Sequence, residues 1–181
     1  MIVLVDGPSG SGKTTLATRL GILLRLPVIH MDDFYPGWSG LAAGSDIIAA
    51  SVLKTTDPGY YRWDWANDRA GEWVPVPPGA KIIEGAGAVT AETLRAASIS
   101  DHQVAAIMLT GEATTRYRRA MRRDPYYEPY WKMWAEQEKH HYAVQSQGLG
   151  DLVPTLWIDT TGLDAGQVVR RAYDFITYYV E

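Results

Sequence analysis

Cysteine is absent from the 181-residue chain, which excludes both a disulfide framework and a thiolate metal centre. Positive charge is also in deficit. Seventeen basic residues against 21 acidic ones leave a formal net charge of −4, so no global field recruits nucleic acid or an anionic membrane. No apolar run approaches the ~20 residues of a membrane span. The N-terminus enters a strand at once, without the basic segment that opens a signal peptide. Internal repeats, low-complexity tails and the Asn-Lys-x-Asp motif of GTP-specific enzymes are missing as well. What remains is a soluble cytoplasmic protein of one domain, residues 1–181, whose 46% hydrophobic content suffices for a core.

Against these absences stands one complete motif. Gly7-Pro8-Ser9-Gly10-Ser11-Gly12-Lys13-Thr14 is a G-x-x-x-x-G-K-[ST] phosphate-binding loop. Its glycines let successive backbone N–H groups converge on phosphate oxygens. Lys13 reaches the β- and γ-phosphates, and the Thr14 hydroxyl offers one Mg²⁺ coordination position. The context agrees. Met1–Val5 is an apolar run ending at Asp6, as a buried parallel strand would be, and apolar residues at 16, 17, 20, 23 and 24 follow with helical spacing. The loop therefore opens a helix, whose dipole favours an anion. Gly7, Ser9, Gly10, Ser11, Gly12, Lys13, Thr14 and Thr15 form the expected nucleotide-binding set, with ATP and Mg²⁺ as cofactors.

Further strands are predicted at residues 27–31, 81–85, 104–109 and 155–159, and helices at about 46–54, 93–98, 112–123, 127–146 and 164–180. Ser45-Asp46 reads as the N-cap of the first of these helices, and the last two residues of the 127–146 helix precede a stop near Gly148. Residues 57–79, with four prolines and three tryptophans, read as an irregular insertion. Strands alternating with helices imply a parallel sheet, and its order is expected to be 2-3-1-4-5 in a three-layer α/β P-loop NTPase sandwich. Ligands would lie beyond the C-terminal strand edge, where Asp6, Asp32, Glu84 and Asp159 fall.

Two segments narrow the chemistry to small kinases. In His30-Met31-Asp32-Asp33-Phe34-Tyr35, a carboxylate at the end of the strand beside the loop is placed to orient a hydroxyl and take its proton during phosphoryl transfer. Five of the twelve arginines lie within residues 116–123. Arg116, Arg119 and Arg123 share one helical face, and guanidinium groups bind phosphate in a forked geometry or stack on a base. The aromatic stretch 126–134 reads as packing of this helical lid (about 112–147) against the body. His140-His141 reads as surface, since adjacent residues on a helix face different directions.

At Asp32, Phe34 and Tyr35 the chain resembles the uridine kinase family of P-loop kinases, which carries an acidic-x-Phe-Tyr signature after its second strand. The resemblance implies Asp32 as catalytic carboxylate and Tyr35 near the acceptor's sugar. Asp33 stands where that family usually has a small polar residue. The arginine-rich segment looks like that family's lid, implying Arg116 as the adenine-stacking residue and Arg119 and Arg123 facing phosphate. Ile82-Ile83-Glu84-Gly85 is similar to its strand-Glu-Gly element, which places Glu84, with Asp32 and Thr14, near Mg²⁺. Asp57-Pro58 and Tyr61–Trp65 fall where the family holds its nucleoside, within an acceptor-side insertion of about 34–79. Asp57, Trp63 and Asp64 are thereby implied as substrate residues, although the family's histidine is missing there. The expected activity is transfer of the γ-phosphoryl of ATP to a hydroxyl of a small molecule, a nucleoside on this resemblance. Ser9-Gly10-Ser11-Gly12-Lys13 also resembles the loops of gluconate-, adenylylsulfate- and antibiotic-type kinases. A nucleotide-gated switch protein without an acceptor is the alternative of another class.

Overall fold

The computed structural model describes residues 1–99, 101–145 and 152–179. Five strands form one parallel sheet: β1 (Ile2–Asp6), β2 (Val28–His30), β5 (Lys81–Glu84), β6 (Val104–Thr110) and β7 (Thr155–Asp159). Their order is β2-β5-β1-β6-β7, which is 2-3-1-4-5 when the sheet strands alone are counted. β1 pairs on both sides, Val3 with Ile82 and with Ala105. Every residue of β1 is buried, so it reads as an unbroken apolar run.

The two-residue period of the strands sorts these side chains into two cores. Val3, Val5, Ile82 and Ile107 face a layer built by α1 (Lys13–Leu24) and α6 (Ala165–Tyr179), through Leu16, Leu20, Val169 and Ile176. Ile2, Leu4, Ile83 and Met108 face the opposite layer, with Met31, Phe34, Tyr35, Leu41, Leu94 and Trp134. That layer includes α2 (Leu41–Ile47), α3 (Ala91–Ser98) and α5 (Glu128–Gln145), while α4 (Ala113–Arg123) leads into α5 through a tight turn at Pro125–Tyr127.

Several boundaries differ from expectation. α2 starts five residues before the predicted 46 and continues as a wider π turn at Ile48–Val52. Ser45 is therefore not a cap. It sits buried inside the helix, where its hydroxyl donates to the Gly87 carbonyl at 2.7 Å. The true cap, Gly40, has no side chain to announce it. α3 begins at Ala91 because Thr90 and Thr93 form a reciprocal capping box. The stop foreseen near Gly148 lies outside the described residues.

The segment expected to be irregular contains a hairpin, β3 (Gly59–Asp64) and β4 (Arg69–Pro75), bulged between Tyr61 and Trp63. Its prolines stand at the ends of the strands, where they interrupt no ladder bond. Asp64 builds the turn by accepting from the Ala66 and Asn67 N–H groups, both at 3.2 Å. The Trp65 indole at the tip donates to the Asp32 carbonyl at 3.1 Å, so the hairpin is docked over the end of β2.

Asp6, at the end of β1, is wholly buried and accepts four hydrogen bonds, from the N–H groups of Gly7, Gly87 and Val89 and from the Tyr142 hydroxyl. Asp6→Asn turns one acceptor oxygen into a donor that faces another N–H. Denaturant unfolding should show a loss of about 2–3 kcal/mol for this substitution, the range for bonds to a buried charged group.

Candidate active site

The phosphate loop runs from Gly7 to the first turn of α1, with Gly12 at the N-cap. Gly10 has φ +76°, and a Cβ there would strike the Arg116 carbonyl, so the loop's left-handed turn and its contact with α4 both require glycine. The loop floors a cavity of about 590 Å³ lined by residues 10–16, Arg119, Arg122, Arg123 and the segment 163–165. Lys13, three arginines and a helix N-terminus face a single acid there, Asp164, a balance that suits a polyanion. The Lys13 ammonium donates to the Pro8 carbonyl at 3.3 Å. Thr14 and Thr15 both line the cavity.

A second cavity of about 430 Å³ opens on the other side of the loop. Arg123 lines both spaces, and the adjacent loop residues Ser9 and Gly10 line one each, so the two cavities meet at the loop. Asp32 lies in the second cavity among aromatic walls of Tyr35, Trp38, Trp65, Tyr127, Tyr130 and Trp134. Trp38 and Tyr130 stack at 3.7 Å between centroids with planes 2° apart. The protein that crowds around the Asp32 carboxyl, and then the Glu84 charge, push its pKa up, against Lys13, Arg123 and His30. Solvent still reaches the carboxyl from the cavity, and this access moderates the effect.

The residues present fit a magnesium nucleotide. The cradle at Gly10 admits no side chain, the donor set is cationic, and the Thr14 hydroxyl stands at the start of α1. Among the described residues no three carboxylate, imidazole or thiol groups converge on one metal position. A magnesium ion there would share its shell with phosphate oxygens, its usual habit.

No family model and no curated protein sequence matches the chain. Solved structures do match it in shape. A gluconokinase from Sinorhizobium meliloti superposes with a TM-score of 0.61 at 15% identity, covering 98% of this chain and 92% of that one. A shikimate kinase from Acinetobacter baumannii, in complex with shikimate, gives 0.57 at 14% identity over 98% and 93%. A possible uridine kinase from Bacillus stearothermophilus gives 0.51 at 15% identity over 86% and 88%. The chain has the fold of the P-loop small-molecule kinases.

Within this kinase fold the predicted residues divide. Ser9 to Thr15, Asp32, Arg119 and Arg123 line the cavities, whereas Gly7 lines neither and gives its N–H to Asp6. Arg119 does so while tethered, donating to the Thr160 hydroxyl and carbonyl at 2.9 and 2.7 Å. Tyr35 lines the second cavity, and its hydroxyl donates to the Ala86 carbonyl at 2.8 Å. Asp33 accepts from the Tyr60 hydroxyl at 3.2 Å and so supports the hairpin.

Other residues are placed elsewhere. Arg116, expected to stack on adenine, has its guanidinium donating to the Gly111 and Ser9 carbonyls at 3.0 and 2.9 Å and lying over Trp131. Glu84 is buried and bonded to His30 at 2.7 Å, so it lines neither cavity and stands behind Asp32. Asp57 is exposed in the approach to β3, at the opposite end of that strand from the tip docked on Asp32. Asp64 is committed to its own turn, and Trp63 lies outside the lining, while Trp65, beyond the end of β3 in the turn, reaches the cleft. His141 is buried against Gly87 and Tyr142, while His140 remains at the surface.

Two positions at the cavities and loop escaped the sequence reading. Trp38 lay in a loop without periodicity. Glu138, 3% exposed, binds the loop residue Ser9. Its signal was a carboxylate on the apolar helix face that runs through Trp131, Trp134 and Tyr142.

The relocation of Arg116 has a measurable consequence. Arg116→Ala should lower the unfolding free energy by about 1–3 kcal/mol, because two carbonyls lose a charged donor. The exposed Arg122 makes no hydrogen bond among the described residues. Arg122→Ala should leave stability unchanged and weaken ATP binding about tenfold in calorimetric titration, the equivalent of about 1.4 kcal/mol.

Proposed function

We propose that this protein is an ATP-dependent kinase that transfers the γ-phosphoryl group to a hydroxyl of a small uncharged acceptor, a nucleoside in the manner of uridine kinases. The observation that carries this reading is the pair of cavities meeting at the phosphate loop, one cationic and the other aromatic with a carboxylate in it. A nucleotide switch needs the first cavity and has no use for the second. The solved relatives in fold include a gluconokinase, a shikimate kinase and a possible uridine kinase, which supports phosphoryl transfer to a small molecule.

The charge of the second cavity favours the nucleoside branch. Its cation, Arg123, is shared with the phosphate side, while Asp32 and Asp124 are both acidic. A carboxylate acceptor such as gluconate or shikimate would meet like charge there, whereas a flat neutral ring can stack on Trp65 or the Trp38–Tyr130 pair. The reading treats residues 1–181 as one kinase domain, invokes no nucleic-acid or membrane partner, and puts the enzyme in the cytoplasm with its ATP.

The chemistry follows from positions. Loop amides and Lys13 would hold the β- and γ-phosphates, and Arg123 would face the transferred group from the acceptor side. Asp32 would accept a hydrogen bond from the acceptor hydroxyl, align its oxygen, and take its proton as the new O–P bond forms and the bond to ADP breaks. Magnesium, held by Thr14 and the phosphates, would offset the negative charge that gathers on the leaving oxygens.

Asp32→Asn separates the readings. In a kinase it should lower acceptor-dependent turnover by about 10²–10⁴, with ATP affinity nearly unchanged because Lys13 and the loop are intact. A switch would instead lose Mg-ATP affinity and have no acceptor-dependent turnover. A panel of nucleosides, sugars and small alcohols assayed for ADP release supplies the acceptor. Lys13→Ala should abolish turnover of any kind.

The two hairpin tryptophans should differ as well. Trp65→Ala is expected to raise the acceptor KM by roughly tenfold, within the range for losing one aromatic stacking partner. Trp63→Phe should leave that KM as it was; equal effects from the two would mean that the acceptor binds elsewhere.

A further inference from the structure

Ser9 is held on every polar side by residues of α4, α5 and the turn between them. Its N–H donates to Glu138 Oε1 at 2.6 Å, and its hydroxyl donates to the same oxygen at 2.7 Å. The Tyr127 hydroxyl lies 3.0 Å from Ser9 Oγ, and with that proton given to Glu138 the phenol is the donor. The Ser9 carbonyl accepts from Arg116, which also lies 3.9 Å from the other Glu138 oxygen. Such a buried carboxylate is costly unless it is this fully bonded.

The location matters as much as the bonding. Ser9 stands where the two cavities meet, beside Lys13, and the segment that grips it supplies walls of the acceptor cavity. Tyr127, Tyr130 and Trp134 precede Glu138 on that segment, and Gln137 Nε2 donates to the Trp38 carbonyl at 2.8 Å. A shift of Ser9 is thereby passed to the aromatic walls around Asp32.

We propose that Glu138 is a positioning residue. By holding Ser9 it fixes α5 to the phosphate loop, so that nucleotide binding in one cavity and assembly of the acceptor walls in the other are coupled. The catalytic consequence rests on the kinase reading above; the coupling itself does not.

Two measurements test this. The first needs no acceptor: amide hydrogen exchange over residues 128–138, with and without saturating Mg-ATP. In the wild type, nucleotide should slow exchange by about fivefold or more, the scale of a typical coupling. Glu138→Ala should lose that response. Glu138→Gln should keep it, since its amide oxygen still accepts from the Ser9 N–H. The second uses the identified acceptor: Glu138→Ala should raise its KM and lower kcat by about 10²-fold in all, as expected for a misplaced reacting pair. Acceptor-free ATP hydrolysis should rise relative to transfer, and Glu138→Gln should restore both. A Glu138→Ala protein with wild-type exchange response overturns the proposal, as does a Gln variant that behaves like Ala. If Glu138→Ala does not fold, Ser9→Ala, which loses only the hydroxyl bonds, must weaken the response, and a wild-type response in it is equally fatal. Coupling that is present and Glu138-dependent in a protein that phosphorylates nothing removes the kinase reading and leaves the positioning role standing.

Discussion

Asp6 ends the central strand with a side chain sealed from solvent, and four donors from three separate parts of the chain meet on it. The Gly7 N–H belongs to the phosphate loop, the Gly87 and Val89 N–H groups to the connection after β5, and the Tyr142 hydroxyl to α5. A buried carboxylate must be bonded fully, and these were the donors within reach. The Gly-rich loop, the connection that follows Glu84 and the helix that walls the second cavity are thus tied to one atom group.

From that anchor the charge pattern of the site becomes intelligible. Cations gather on the nucleotide side, where Lys13 and three arginines line the cavity, and acids gather beyond the loop, at Asp32, Glu84 and Glu138. Each acid is answered locally: Glu84 by His30, Glu138 by Ser9 and Arg116, and Asp32 by solvent and the more distant Lys13 and Arg123. Asp32 alone among the three is open to the cavity. The low net charge of the chain conceals this polarisation, because the two halves cancel.

Much of the site was legible because its parts are local. The phosphate loop, the apolar strand before it and the helix after it are contiguous, so spacing alone located them. The parallel sheet followed from alternation of strands and helices, and Asp32 from its place at a strand end. The hairpin was missed because its prolines suggested irregular structure, although Asp64 and Asn67 carried the turn chemistry that joins its strands. The contacts of Arg116 were not legible, because helical spacing shows which arginines share a face and leaves open what the face meets. It meets the underside of the loop and a tryptophan.

The sequence by itself determined the phosphate loop, the order of strands and helices, the cationic character of α4 and the carboxylate at the end of β2. These depend on backbone periodicity, on glycine's freedom and on residues within a few positions of one another. Tertiary structure decided which tryptophans wall the second cavity, which arginine braces the loop and which line the cavities, and that a glutamate 129 positions away would hold Ser9. Those outcomes turn on which faces of distant elements pack together. Packing is set by the summed burial of many side chains, and no short stretch of sequence contains that sum.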